Sequence, residues 1–244
     1  GATPTAGSVK IDGSNLGSAL AGTIAATRLS ANTTAGFSIV KYTGTGSSAT
    51  VAHGLGVAPN YIVIKNIGAG STVWAVGSDA LTSWVYTLDQ DYNAAEASVA
   101  GRFDSLAPTP SVFSIKDSLY TNDSADTYIA YCFANIEGYS KTGSFEGNNN
   151  ADGAFVYTGF RPAYIMIKSV DVSGNWNILD NKRTEYNVMG EVLYADTNAA
   201  KDDGTYLDLL SNGFKLRLAS DYWNNNTMLY LAFAESPFKY SNAR

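Results

Sequence analysis

The sequence predicts an all-β fold: two tandem antiparallel β-sandwich repeats, jelly-roll-like, after a short neck. Three observations predict it. The first is an internal copy: His53-Gly-Leu-Gly-Val-Ala-Pro-Asn-Tyr-Ile-Val-Ile-Lys65 returns as Tyr157-Thr-Gly-Phe-Arg-Pro-Ala-Tyr-Ile-Met-Ile-Lys168, with Gly56/Gly159, Pro59/Pro162, Tyr61/Tyr164 and Lys65/Lys168 all 103 residues apart. The second is that further blocks match in the same order. Trp74 aligns with Trp176, Asn93-Ala-Ala with Asn198-Ala-Ala, residues 112–115 with 213–216, 129–134 with 229–234, and Tyr139-Ser140 with Tyr240-Ser241. The third is the texture of the chain. Short runs rich in Val, Ile, Tyr, Phe and Thr alternate with Gly, Ser, Asn and Pro clusters, the signature of many short strands.

The expected organisation is a neck over residues 1–35, a first repeat over 36–137 and a second over 138–244, each repeat of ordinary domain size. The neck is rich in Gly, Ala, Ser and Thr, with isolated Val9, Ile11, Leu16, Leu20, Ile24 and Leu29 that hold neither a helical nor a strand period. It reads as a flexible linker or as a shaft ordered by packing against identical neighbours. Residues 36–42 alternate as a strand. Ile62, Val63 and Ile64 leave no polar side, so that strand is expected to be buried on both faces. Trp74 and Trp84 each open or join a strand, with Trp84 and Tyr86 at alternate positions. Residues 91–99 suggest a short helix, because Asn93 and Glu96 have capping-box spacing. On the strand at 127–134 the large residues Ile129, Tyr131 and Phe133 are expected to fill the core. The small face of Ala130, Cys132 and Ala134 would then receive another layer.

Composition narrows the function. Net charge is −6, from 22 acidic and 16 basic residues, with no basic block. That disfavours nucleic acid, whose binding needs clustered Lys and Arg. No apolar run reaches membrane-spanning length, so no membrane insertion is expected. Only 16% of residues are charged, a surface suited to neutral ligands or to self-association. One cysteine, Cys132, permits no internal disulfide and reads as a core residue. One histidine, His53, has Val156 at its repeat position, so a catalytic base is disfavoured and a backbone-bonded loop histidine expected. Too few His and Cys exist for a zinc site, and the Asn148-Asn-Asn-Ala-Asp152-Gly153 loop has one carboxylate where calcium loops have several. No metal and no cofactor are expected. The carboxylate pairs Asp202/Asp203 and Asp89/Asp91 read as solvated loops, so the chain is not expected to be an enzyme.

The aromatic residues carry the ligand-binding candidates. A flat ring beside amides and charges suits sugars, because the ring covers C–H groups while polar side chains take the hydroxyls. The candidate residues are Trp84, Tyr86, Asp180, Lys182, Arg183, Tyr222, Trp223 and Asn224, with Trp223 expected on an exposed loop.

Several blocks together resemble a known family. They are Gly36-Phe-Ser-Ile-Val-Lys-Tyr-Thr-Gly44, His53-Gly-Leu55, Thr127-Tyr-Ile-Ala-Tyr-Cys-Phe133, Gly138-Tyr-Ser-Lys141, Asp152-Gly153, Tyr157-Thr-Gly-Phe-Arg-Pro-Ala163, Asp180-Asn-Lys-Arg183, Leu210-Ser-Asn-Gly-Phe-Lys-Leu-Arg217 and Ala232-Phe-Ala-Glu-Ser-Pro-Phe-Lys-Tyr-Ser-Asn-Ala-Arg244. In combination they look like a domain near the C-terminal ends of large virion proteins of tailed bacteriophages. Members of that family usually carry Tyr-Thr-Gly-Asn-Gly at the start of each repeat; the second copy here has Phe145-Glu-Gly-Asn-Asn149 instead. The resemblance implies a virion location outside the cell, in a tail fibre that attaches to a host, and a homotrimer. Other tail proteins would precede residue 1. The partner would be a bacterial surface glycan or an outer-membrane protein. A structural virion part without a ligand site and a glycan depolymerase are the alternatives.

Overall fold

A computed structural model describes residues 7–16 and 20–236 of the chain. Tyr240-Ser241 and the end of the last resemblance block lie outside the described residues. The architecture is all-β, and the chain divides into two compact units, one of residues 1–90 and 97–135, the other of 91–96 and 136–244.

In the first unit the strands are β1 (Val9–Ile11), β2 (Ser14–Asn15), β3 (Arg28–Asn32), β4 (Phe37–Thr43), β5 (Ala49–Ala52), β6 (Tyr61–Asn66), β7 (Trp74–Ser78), β8 (Tyr86–Asp89), β9 (Ala97–Ser98), β10 (Val112–Ile115) and β11 (Thr127–Phe133). Nine form a sheet in the order β2-β1-β3-β4-β11-β6-β7-β8-β9, and β10 pairs with β5 in a second. All pairs are antiparallel except β1 with β3. In the second unit, β12 (Ser140–Glu146), β13 (Phe155–Tyr157), β14 (Pro162–Ser169), β15 (Asn177–Asp180), β16 (Met189–Tyr194), β17 (Asp202–Leu210), β18 (Gly213–Leu216) and β19 (Thr227–Ala234) form one sheet, β12-β19-β14-β15-β16-β17-β18-β13.

The two orders are the same path. Substituting β4, β11, β6, β7, β8, β9, β10 and β5 for the second unit's strands in turn reproduces it, with one break between β9 and β10. In the second unit the nine-residue β17 bridges that gap by pairing with both β16 and β18. β9 has two residues and pairs only with β8.

The expected neck is part of the first unit. Val9, Ile24, Leu29 and Ala31 are buried in its core, and Thr23 and Ile24 donate backbone hydrogen bonds to Thr50 O at 3.0 Å each. The apolar residues showed no long period because they serve very short strands. Leu29 and Ala31 alternate over only the five residues of β3, and Val9 is the inward residue of a three-residue strand.

Two further expectations are corrected. Residues 91–99 form no helix; they end in β9, and Glu96 N donates instead to Val170 O at 2.8 Å. A backbone group already bonded to a strand end is not available to a capping box. On β11 the small face is the one in the core. Ala130, Cys132 and Ala134 pack with Tyr42, Ile62, Ile64 and Tyr128, while Ile129, Tyr131 and Phe133 are half-buried on the other face. Tyr42 and Tyr128, stacked with centroids 5.3 Å apart, already occupy the core volume that the larger side chains would need.

Tyr61 to Ile64 are buried on both faces, as their pattern requires. The tryptophan pair has diverged. Trp176 is wholly buried, whereas Trp74 is 36% exposed, stacked on Tyr131 at 6.2 Å beneath the Lys65 ammonium. His53 is a buried loop histidine: Leu55 N donates to Nδ1 at 3.2 Å, so Nε2 carries the proton and donates to Thr109 O at 3.0 Å. Burial raises the Cys132 thiol to about 12, which makes it inert at neutral pH.

Candidate functional site

Three consecutive residues of the second unit, Tyr222-Trp223-Asn224, point in different directions. The turn that carries them is closed by the N–H groups of Trp223 and Asn224, which donate to Ser220 O at 3.2 and 2.9 Å. Trp223 faces inward, 8% exposed, and its ring lies 4.6 Å from that of Tyr206. Asn224 is fully buried, and its amide donates to Asn148 Oδ1 (3.0 Å), Asn150 O (2.8 Å) and Leu218 O (2.9 Å). With its two successors anchored, Tyr222 is left outward and 55% exposed.

Its ring divides two shallow clefts of the second unit. One, of about 430 Å³, is lined by Asn93, Asn175, Asn177 and Tyr194 among others; the other, of about 450 Å³, by Val172, Asp221, Asn225 and Asn226. Ser173 borders both. Gly174 makes room for the ring, since a Cβ there would stand 3.3 Å from Tyr222 Cδ1. Asp221 is already engaged: its carboxylate accepts from Asn225 Nδ2 at 2.6 Å and its carbonyl from Asn226 Nδ2 at 2.9 Å. The walls therefore set the exposed Tyr222 ring, with Tyr194 beside it in the first cleft, among amides and hydroxyls, with a single, engaged carboxylate.

The candidate residues are not brought together. Tyr222 lies on the clefts and Trp223 contributes to one of them, but Trp223 is a core residue, which corrects its expected exposed position. A large ring preceding a clamped asparagine is pulled inward by the apolar area it can bury. Asn224 is a structural clamp, buried and without a face for a ligand. Asp180, Lys182 and Arg183 stand at the other end of β15 from Asn177, about 10 Å along the strand. There they satisfy one another. Asp180 accepts from Lys182 N (2.9 Å), Arg183 N (3.0 Å) and Arg183 Nε (2.7 Å). Burial pushes its pKa upward, but these bonds outweigh it and hold the carboxyl below its usual value. Lys182 is exposed. Trp84 and Tyr86 belong to the first unit. Trp84 does not sit on β8 but in the turn before it, buried edge-on to Phe103 at 5.9 Å; Tyr86 is half-buried.

Sequence reasoning passed over Ser173, Asn175, Asn225 and Asn226 as cleft residues. The run of three asparagines after Trp223 was the available signal. Among the described residues no three His, Cys, Asp or Glu side chains gather as a metal site requires, and no helix is long and apolar enough to cross a membrane.

A family model described as a domain of unknown function, DUF7483, matches residues 11–237. The chain belongs to the DUF7483 family. The match spans both repeats and starts at Ile11, the last residue of β1, so β2 and β3 lie within the family's extent. No curated protein and no solved structure matches the chain.

Proposed function

We propose that this DUF7483 protein is a non-enzymatic attachment domain of a tailed-phage fibre that binds a glycan on the host surface. The observation that carries the binding reading is Tyr222, held outward between two amide-lined clefts by a turn whose neighbours are anchored inward. An aromatic face takes the C–H side of a sugar, and Asn175, Asn225 and Asn226 offer donors and acceptors to its hydroxyls. The virion setting rests on the sequence resemblance. The non-enzymatic reading is supported by the single carboxylate on the clefts, since glycoside hydrolysis uses two.

Such an open site binds weakly, at about millimolar Kd or −4 kcal/mol. Linked copies raise avidity by roughly 10²–10⁴ without new contacts, which is the use of a trimer. Light scattering is expected to give three times 25.9 kDa; a monomer at every concentration overturns the trimer. The deciding experiment is adsorption of labelled protein to bacteria before and after mild periodate oxidation. Loss on oxidation, and loss in Tyr222→Ala, is expected. Adsorption that survives periodate identifies a protein receptor and overturns the glycan reading. A structural virion part is the second reading, favoured by the burial of Trp84, Trp223 and Asn224. It is the reading left if the folded oligomer adsorbs to no strain that the parent phage infects.

A further inference from the structure

We propose a second binding site, on the first unit, for the acidic group of an anionic saccharide. β3 and β4 place Arg28 directly opposite Lys41 in the antiparallel register. Residues so paired have Cβ atoms about 5 Å apart, and like charges there repel. No carboxylate relieves them: among the described residues neither Arg28, Lys41 nor the nearby Lys10 forms an ion pair. Yet acidic residues outnumber basic ones, 22 to 16. A chain with acidic groups to spare has left three cations together.

All three line one shallow cleft of about 370 Å³. Its floor is Ile39 and Ile129, outward residues of β4 and β11, with Ile129 directly opposite Lys41. Ile39 is 38% exposed. The neighbouring cation in that row, Lys65, is turned away: it donates to Thr72 O and lies over Trp74. The site thus combines a planar guanidinium, matched to the two oxygens of a carboxylate or phosphate, with two ammonium groups and an apolar floor for a sugar's C–H face. It is separate from the Tyr222 clefts and does not depend on them.

The test is calorimetric titration of the whole chain with hexagalacturonate, its methyl ester and mannose 6-phosphate, in 20 and 200 mM NaCl. The carboxylate or the phosphate sugar is expected to bind, with affinity falling at the higher salt, while the uncharged ester does not. Arg28→Gln/Lys41→Gln is expected to weaken binding at least tenfold. Its melting temperature should stay the same or rise, because a repulsion is removed. The control Lys116→Gln/Lys201→Gln deletes the same charge elsewhere and should bind like the parent. The proposal is overturned if neither acidic sugar binds, if the ester binds equally, or if the Arg28/Lys41 variant binds as tightly as the parent. Cell adsorption that fails while hexagalacturonate still binds would sink the attachment reading and leave this site standing.

Discussion

Asn122 and Asn224 perform the same task in the two repeats. Each sits in the loop before the last strand of its unit, and each is fully buried. Asn122 Oδ1 accepts from Thr45 N at 2.8 Å and its amide donates to Ser47 O at 2.5 Å. Asn224 Oδ1 accepts from Asn148 N at 3.3 Å while its amide takes the Asn148 and Asn150 oxygens. The two loops differ in sequence, Tyr42-Thr-Gly-Thr-Gly46 against Phe145-Glu-Gly-Asn-Asn149, yet both are clamped in the same manner. Replacing either asparagine by Ala strands buried partners. The expected cost is about 2–3 kcal/mol for each, read as a lower urea midpoint with unchanged slope.

Gly44 and Gly147 are the glycines that let these clamps approach. A Cβ at Gly44 would stand 2.0 Å from Asp123 O, and one at Gly147 2.1 Å from the Asn224 carbonyl carbon. Both obstacles are backbone and cannot rotate away. Gly44→Ala and Gly147→Ala are each expected to destabilise by more than the roughly 1 kcal/mol that separates Gly from Ala on propensity, measured by chemical denaturation. Gly147→Ala should also disturb the neighbouring Tyr222 turn and weaken adsorption, whereas Gly44→Ala should not.

Tyr222→Ala and Trp223→Ala should separate binding from stability. The first removes an outward ring and is expected to change stability by less than about 0.5 kcal/mol while abolishing adsorption. The second empties a core position against Tyr206 and should cost about 3–5 kcal/mol. Melting curves and cell adsorption on the same two proteins check the pair.

The sequence showed the fold where burial is repeated along the chain and hid it where a contact is made once. The duplicated Tyr61 and Tyr164 blocks carry two-sided hydrophobic runs, so both central strands could be recognised. The first strands escaped because their apolar residues are too few to show a period. At the site, composition located the 222–226 stretch but not its inward and outward faces. The position of Trp223 depends on Tyr206, seventeen residues away, and on a buried clamp to a loop more than seventy residues distant; adjacent letters carry no trace of either.

Burial of His53 lowers its pKa from 6.5, the bond to Thr109 only partly opposing the shift. Below pH 6.5 the unfolded chain takes up a proton that the folded one resists. Stability is therefore expected to be full above pH 6.5 and to fall as pH drops through the window beneath it. His53→Gln should flatten that part of the stability profile, measured by urea unfolding between pH 5 and 7.5.

At alkaline pH one lysine and two tyrosines act in opposite senses. Lys168 is wholly buried, and desolvation lowers its pKa to about 8, with Asp196 opposing. Between pH 8 and 10 the unfolded chain holds more protons, so stability should rise with pH, by up to roughly 3 kcal/mol over the full shift. Burial raises Tyr128 and Tyr164 to about 12. Above pH 10 the unfolded chain loses these protons first, and stability should fall again. Lys168→Met is expected to remove the rise and keep the fall.

The first three strands also decide how the molecule can be cut. β4 is seven residues long, and β3 pairs with five of them. A fragment begun at residue 36, where the internal copy starts, would bare that edge together with Val40 and the core surface that Leu29 and Ala31 cover. An open row of backbone donors and acceptors beside uncovered apolar surface is a template for another chain to add to. The shorter fragment should aggregate, whereas a preparation that keeps residues 7–35 keeps its own guard strand.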